Sequence, residues 1–305
     1  MTMDTKQIEY ILKIAEENNI TKAAEKLFIT QPALNQQLLR LEKELGIQLF
    51  HRSRTDWHPT QAGEIYLKNA RLMLQIKKDT YRIINDMVSD KKGNLSVGFT
   101  PGRGIAMFCA VYPKFHKKYP EIIVTPNEMS VKKQQAAISN GDLDIGFLTL
   151  CDNQRTSDHY IPIAQEEIYL AIPARHPLSA LDSSKTYENN YPDLDITAVK
   201  YEPFVLMYKE STVRHMIDNI FKEAAFEPNV LFETASTSTI LTMIQANLCC
   251  GLIPYYYIKN PIEGISCFSL PSHPAWSVAA TYRKNSYLTH AAEYFIKLAK
   301  DYWKN

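Results

Sequence analysis

The chain has 305 residues, of which 45% are hydrophobic and 22% are charged, and its formal net charge is +1. This length and composition predict two or three folded domains and exclude a disordered chain. The near-neutral balance excludes a globally basic nucleic-acid binder, so any charge that faces nucleic acid must be local.

The five cysteines predict no disulfide framework. Cys109, Cys151 and Cys267 stand alone, and neighbours such as Cys249 and Cys250 have poor geometry for a mutual disulfide. The sequence holds no C-x-x-C pair, so no structural zinc is expected, and we expect no cofactor. It also shows no charged-then-apolar leader and no apolar run of about eighteen residues, which predicts a cytoplasmic protein with buried, reduced thiols.

The stretch from Thr21 to Phe50 predicts a short helix, a tight turn and a longer helix. Thr21 is placed to cap the first helix and Thr30 the second, where Pro32 lies in the first turn. Gly46 is placed to end the second helix, which carries an apolar stripe, and an earlier amphipathic helix completes a three-helix unit. The stripe comprises Leu34, Leu38, Leu41 and Leu45, and the earlier helix carries Ile8, Ile11, Leu12 and Ala15.

The opposite face of the second helix is rich in side-chain amides. At about 100° per residue, Pro32, Gln36 and Lys43 point away from the leucine stripe, and Gln31 and Asn35 flank them near the helix start. Amides can pair bidentately with adenine in a major groove, and helix-turn-helix proteins read bases with such an N-terminal turn. The alternative is a small helical hairpin with an ordinary polar surface.

Residues in fixed register extend this pattern as far as Gly63. They are Ala23-Ala24, Leu27, Gln31-Pro32-Ala33-Leu34, Leu41-Glu42, Leu45-Gly46, Leu49-Phe50, Arg52, Thr60, Ala62 and Gly63. The pattern resembles that of the LysR-type transcriptional regulators. The chain has Asn35-Gln36-Gln37 where the family commonly has Ser-Arg-Gln, and Leu39 and Pro59 replace residues that are commonly polar and Leu respectively. These departures predict an altered DNA site rather than the loss of DNA binding.

The segment 49–58 predicts a short hairpin, the wing of a winged helix. Arg52 and Arg54 on this hairpin are predicted to touch phosphate or the minor groove, the alternative being solvated surface arginines. The resemblance and the residue types together give one predicted DNA-contact set: Thr30, Gln31, Pro32, Asn35, Gln36, Arg52 and Arg54.

A long helix without proline is predicted from Thr60 to about Val88. Its apolar residues recur at sevens and fours, as in a coiled coil, with Asn69 and Asp79 in the gaps. We call these residues the seam; they are Ile65, Leu72, Ile76, Ile83 and Met87. The seam predicts pairing with a second copy, the alternative being packing on its own domain. The resemblance implies a dimerising linker helix and a homotetramer built from such dimers.

After a polar boundary at 89–94 the sequence alternates between predicted strands and helices, which implies a parallel sheet with helices on both faces. The predicted strands cover 95–99, 122–124, 143–148, 168–172, 204–207, 230–232, 252–254, 265–270 and 278–282. The predicted helices cover 105–119, 131–140, 212–225, 237–246 and 289–303. Phrases common in LysR-type regulators continue here more loosely, at 118–120, 141–146 and 176–178.

The predicted fold class is therefore α/β with an N-terminal all-α winged helix-turn-helix domain. The resemblance implies a two-lobed, periplasmic-binding-protein-like effector domain with crossovers near 162–164 and 268–271. The predicted division is 1–60 for the DNA-binding domain, 61–90 for the linker helix and 91–305 for the effector domain, with lobe I at 91–162 and 269–305 and lobe II at 163–268.

Ligands of open α/β sheets bind beyond the carboxyl ends of the strands. The resemblance places an inducer there, between the lobes, and helix starts that carry hydroxyls favour a small anion such as a carboxylate. Arg103 is predicted to pair with it, the alternative being a surface arginine, and Ser130 and Ser236 would also act as plain caps. The predicted effector contacts are Thr100, Pro101, Gly102, Arg103, Ser130, Thr149, Phe204, Met207, Ser236 and Thr237.

The sequence therefore predicts a transcriptional regulator that binds double-stranded DNA, a small effector and further copies of itself. Two alternatives stay open, since similar two-lobed folds host enzymes and transport-type metabolite-binding proteins. The chain has no G-x-S-x-G or H-E-x-x-H motif and its eight histidines are scattered, which disfavours an enzyme. No catalytic residue and no metal ligand is predicted.

Overall fold

A computed structural model describes residues 4–53, 57–87, 92–182 and 191–304. The chain forms two compact units, residues 1–90 and residues 91–305. Among the helices of the described ranges, none combines the length and the apolar character needed to cross a membrane.

The first unit is a winged helix-turn-helix. Its elements are α1 (Thr5–Glu17), α2 (Ile20–Lys26), α3 (Gln31–Leu45), β1 (Phe50–Arg52), β2 (Trp57–Pro59) and α4 (Gln61–Met87). The predicted leucine stripe of α3 meets the apolar faces of α1, α2 and α4 in one core, with Leu34 and Leu38 fully buried. Burial of these apolar faces is what holds the short helices together, since helices of this length are marginal alone.

The helix-turn-helix begins and ends at slightly different residues from those predicted. Thr21 is not the cap of α2; the side chain of Asn19 accepts hydrogen bonds from the backbone N–H groups of Thr21 and Lys22, so the helix begins at Ile20. The predicted cap of α3 is confirmed, because the Thr30 hydroxyl accepts a hydrogen bond from Ala33 N at 3.4 Å.

The predicted wing is confirmed as an antiparallel hairpin in which Phe50 pairs with Pro59. The Thr60 hydroxyl donates to the Gln48 carbonyl and accepts from Gly63 N at 3.0 Å, so it caps α4 and ties it to the wing. A side chain on Gly63 would overlap the carbonyl oxygen of Leu49, so only glycine allows this close approach.

Helix α4 has two apolar sides. One side, with Tyr66, Leu67 and Ala70, packs into the core of the first unit. The seam lies on the other side, and each of its members is exposed: Ile65, Leu72, Ile76, Ile83 and Met87. The seam therefore does not pack on its own domain, contrary to the alternative given above. Val88, the predicted end of the helix, lies outside the described residues.

The second unit alternates strands and helices. In chain order it comprises β3 (Gly93–Phe99), α5 (Arg103–Lys118), β4 (Ile122–Glu128), α6 (Val131–Asn140), β5 (Ile145–Leu150), β6 (His159–Pro173), β7 (Pro203–Met207), α7 (Thr212–Glu223), β8 (Asn229–Thr234), α8 (Thr237–Gln245), β9 (Gly251–Pro254), β10 (Ile265–Phe268), β11 (Ala275–Tyr282) and α9 (His290–Lys304).

The prediction of a parallel sheet is only half right. Strand β3 pairs in parallel with β4 and β5, and β7 pairs in parallel with β8, but β6 and β11 pair antiparallel with each other and with their other partners. The predicted strand 168–172 is the second half of β6, which changes partner from β11 to β9 between Glu167 and Ile168. This single long strand runs through both lobes and makes their sheets continuous.

Each lobe has its own apolar core. Lobe I buries Phe99, Phe115 and Phe295 between its sheet, α5 and α9. Lobe II buries apolar residues on both faces of β6, β9 and β10, including Phe204 and Ile253. Three of the five free thiols, those of Cys249, Cys250 and Cys267, are buried, which raises their pKa values to between about 11 and about 12. At neutral pH these thiols are protonated and therefore weak nucleophiles.

Candidate DNA interface and candidate effector cleft

The start of α3 presents the predicted base-reading side chains to solvent. Thr30, Gln31, Pro32 and Gln36 are exposed, and Asn35 is half-buried. The Thr30 cap and the proline in the first turn hold the helix start in place. Amide groups on a rigid helix start are suited to paired hydrogen bonds with adenine in a major groove.

Arg52 is held by a partner within the chain. Its guanidinium forms an ion pair with the carboxylate of Glu42 on α3 and lies 5.6 Å from the ring centre of Trp57. The same carboxylate accepts a hydrogen bond from Leu49 N at 2.8 Å. Arg52 is thus positioned to fasten the wing to α3, whereas the sequence predicted a contact with DNA or a solvated surface arginine. Arg54, the other predicted wing contact, lies outside the described residues.

Two helices of lobe I begin without a side-chain cap. The α5 helix starts after Gly102, whose φ of 75° lies in the left-handed region that favours glycine. The α6 helix starts after Ser130, which is exposed and whose hydroxyl makes no capping hydrogen bond. The prediction that Ser130 caps its helix by a side-chain bond is therefore wrong. Such helix starts carry partial positive charge and free N–H groups, which attract anions.

Arg103 is neither a surface arginine nor a free partner for an effector. The residue is 6% exposed, and its guanidinium forms an ion pair with the equally buried carboxylate of Glu166 on β6. It also lies 4.8 Å from the ring centre of Trp276 and 5.7 Å from that of Trp303. A buried cation needs a counter-charge inside the protein, and Glu166 is that counter-charge.

Glu166 connects elements that are far apart in the sequence. Besides Arg103 it accepts a hydrogen bond from Trp276 Nε1 at 2.7 Å and one from Tyr256 N at 2.9 Å. The Tyr256 hydroxyl lies 3.2 Å from that of Tyr302 on α9. Lobe II, to which Tyr256 belongs, is thus joined through one carboxylate to the start of α5 and to the return strand β11.

The remaining predicted effector contacts of lobe II differ in their exposure and in their role. Phe204 is fully buried and packs edge-to-face on Phe221, so it offers no surface to an effector. Met207 is half-buried and its sulfur lies 3.9 Å from the Thr237 hydroxyl at the start of α8. Ser236 caps α8 as predicted, accepting from Thr239 N at 3.4 Å.

The lobes are also linked directly across the predicted cleft. Thr149 is buried, and its carbonyl accepts a hydrogen bond from the Thr212 hydroxyl of lobe II at 2.8 Å. A Cβ atom on Gly102 would lie 3.4 Å from the Tyr257 hydroxyl, so this tyrosine reaches the turn of lobe I that carries Thr100 and Pro101. Burial raises the pKa of Tyr257, while the Arg103 charge and a hydrogen bond with Thr237 act in the opposite direction.

The sequence did not single out Glu166, Trp276, Tyr256 or Tyr257 as site residues. Two of them belong to the run of three tyrosines after β9, which is a visible signal. Glu166 carries no such signal, because an isolated glutamate is most often a solvated surface residue.

Family models match almost the whole chain. The model described as a bacterial regulatory helix-turn-helix protein of the lysR family matches residues 5–64, and the model of the LysR substrate binding domain matches residues 89–304.

Two relatives from Bacillus subtilis are similar to this chain over nearly their full lengths. The chain is 28% identical over 308 aligned residues to YcgK, an uncharacterized HTH-type transcriptional regulator of Bacillus subtilis. The alignment covers 98% of this chain and 94% of that protein. It is 26% identical to the HTH-type transcriptional regulator AlsR of the same organism, over 98% of this chain and 91% of that protein.

Solved structures share the fold. A full-length OxyR variant from Pseudomonas aeruginosa superposes with a TM-score of 0.71 at 21% identity, covering 98% of each chain. Full-length CbnR in complex with its target DNA superposes with a TM-score of 0.59 at 20% identity, covering 98% of this chain and 99% of that one.

We predict that Arg103→Met destabilises the chain by about 3–5 kcal/mol, because it leaves the Glu166 carboxylate buried without a cation. Urea unfolding followed by tryptophan fluorescence measures this loss. Adding Glu166→Gln should restore part of it. The matched control is Arg155→Met, which removes an arginine that pairs with the exposed Asp152 at 2.8 Å and should cost at most about 1 kcal/mol. An equal loss for Arg103→Met and Arg155→Met would contradict the assigned role.

Proposed function

The chain belongs to the LysR family of bacterial transcriptional regulators, and from this premise we propose how its parts read DNA, assemble and respond to an effector. It is a DNA-binding transcriptional regulator with an effector-binding domain. We divide it into a DNA-binding domain at 1–60, a linker helix at 61–90 and an effector domain at 91–305. Acting on promoter DNA as a regulator rather than as an enzyme, it would work in the cytoplasm.

The observation that carries the DNA-reading proposal is the exposed amide face at the start of α3. Gln31 and Gln36 are exposed beside the capped helix start, and Asn35 lies between them. These side chains would read adenine edges in the major groove, with Thr30 and Pro32 close to the DNA backbone. Arg52 supports this surface by holding the wing to α3, and its remaining N–H groups can still reach a phosphate.

The exposed seam of α4 supports self-association. Five large apolar side chains in coiled-coil spacing are left in solvent on one side of the helix, which is unfavourable for an isolated chain. A second copy of the same helix would cover them. We propose a dimer through α4, and a homotetramer built from two such dimers.

The effector would lie between the lobes, at the two uncapped helix starts of lobe I. The free hydroxyl of Ser130, the backbone N–H groups after Gly102 and the hydroxyls of Thr100 and Thr237 are suited to a small anion such as a carboxylate. Arg103 is not among the proposed contacts, because Glu166 already neutralises it. An effector would act by binding two arrangements of the lobes with different affinity.

For base reading, we predict that Gln36→Ala weakens binding to a specific operator by about 1–3 kcal/mol and leaves binding to random DNA almost unchanged. Fluorescence anisotropy with both duplexes measures the two affinities. The control is Gln48→Ala, an exposed glutamine beyond the end of α3. Equal weakening on operator and random DNA would refute base readout by Gln36.

For assembly, we predict that Leu72→Asp combined with Ile76→Asp abolishes the α4 dimer, because each carboxylate would be buried unpaired in the seam. Sedimentation velocity measures the oligomeric state, and circular dichroism checks the fold. Lys78→Asp combined with Asn85→Asp places two carboxylates at exposed positions of α4 outside the seam and should leave the oligomer intact. An intact oligomer in the seam variant would disprove this interface.

For the effector, we predict that Ser130→Ala weakens the binding of an inducing carboxylic acid about fivefold to tenfold, the loss expected for one hydrogen bond, without changing operator binding in its absence. Calorimetric titration of the full chain with a panel of carboxylic acids tests this. Ser139→Ala, near the other end of α6, is the control. If an acid that alters operator binding in the parent chain binds Ser130→Ala equally well, the site lies elsewhere.

A further inference from the structure

Two large apolar side chains are exposed to solvent beside the amide face of α3. Phe28, in the turn before α3, is 95% exposed, and Leu39, in the middle of α3, is 44% exposed. Neither belongs to the core of the first unit. Single exposed apolar residues are common, but Phe28 and Leu39 flank the amide face of α3, one before it and one after it along the chain.

The backbone at Phe28 makes its exposure informative. Its φ of 56° lies in the left-handed region, at a position that ends α2 with two backbone hydrogen bonds, Ile29 N to Ala24 O and Phe28 N to Glu25 O, each 3.1 Å. This is the Schellman arrangement, in which glycine is the usual residue because a Cβ is disfavoured there. Phenylalanine brings that disadvantage, and at 95% exposure it gains no packing against the described part of the chain. Folding therefore does not explain why this position carries a large aromatic ring.

The helical position of Leu39 places it among the amides. At about 100° per residue, Leu39 lies about 40° from Asn35 and about 60° from Gln36, and within about 20° of Pro32. It is thus on the exposed face, one turn beyond the amides. The leucine stripe lies about 100° or more away, so the core does not require an apolar residue at 39.

The major groove offers one apolar group to such side chains. Thymine alone carries a methyl group on its major-groove edge, and apolar side chains that contact it exclude water from it. We propose that Phe28 and Leu39 contact thymine 5-methyl groups, so that the chain reads thymine methyls with these two residues while the amides read adenine. This inference rests on the proposed DNA-reading role of α3.

We take DNA to be the partner of Phe28 because Phe28 adjoins the DNA-reading surface of α3. Phe28 stands two residues before the Thr30 cap, and consecutive Cα atoms are at most about 3.8 Å apart, so its ring is close to the helix start that enters the groove.

The test replaces thymine with uracil, which lacks the 5-methyl group and keeps the same hydrogen-bonding edge. The full-length protein first selects its preferred duplex from a random pool, and each thymine of that duplex is then replaced by uracil singly. We expect one or more replacements to weaken binding about threefold to fivefold, the effect of one buried methyl group. Equal affinity at every position would overturn the proposal. Failure to enrich any sequence would instead refute specific DNA binding by this chain.

Variants assign each methyl contact to a side chain. In Leu39→Ala the uracil effect at one thymine should disappear, and in Phe28→Gly the effect at another should disappear, while both variants fold normally. Phe28→Gly should unfold at the same or a higher temperature than the parent, since it relieves the left-handed backbone. Ile47→Ala, which shortens an exposed apolar residue just beyond α3, should keep every uracil effect. A uracil effect that survives unchanged in a variant overturns the assignment of that residue.

Discussion

The two-lobed unit depends on the contacts that one buried carboxylate, that of Glu166, makes. It is buried on the strand that passes through both lobes, and it binds the Arg103 guanidinium, the Trp276 indole and the backbone of Tyr256. A charge in that place is unfavourable unless its lone pairs are used. The Glu166 carboxylate consequently holds together the start of α5, strand β11 and the backbone of Tyr256.

The DNA-binding unit uses the same device on a smaller scale. Glu42 is buried on α3 and binds the backbone of Leu49 and the guanidinium of Arg52, which ties the wing to the helix. In both units an arginine that the sequence predicted to bind DNA or an effector, Arg52 or Arg103, instead neutralises a buried carboxylate of its own chain. Each unit therefore uses a charged pair to fix its shape, and in the proposed function recognition falls to amides, hydroxyls and helix starts.

The contacts between the lobes bear on how an effector could change the arrangement of the lobes. The proposed cleft is bordered by contacts that join the lobes, among them Thr149 with Thr212 and Tyr257 with the turn at Gly102. An effector that entered between them would have to exchange these contacts for its own, so it would favour a different arrangement of the lobes in proportion to its differential affinity.

The sequence by itself determined the local structure and the family. Periodic leucines, the Thr30 cap, Gly46 and the alternation after residue 94 were sufficient to predict most of the elements, though not the start of α2 or the full length of β6, because most elements depend on spacing along the chain. The amide face of α3 and the seam of α4 could be predicted for the same reason. The tertiary structure alone decided the antiparallel course of β6 and β11, the core position of Phe204 and the partners of Arg52 and Arg103. Strand direction and ion pairing join residues that are far apart in sequence, as Arg103 and Glu166 are, and no periodicity records which distant carboxylate a buried arginine will meet.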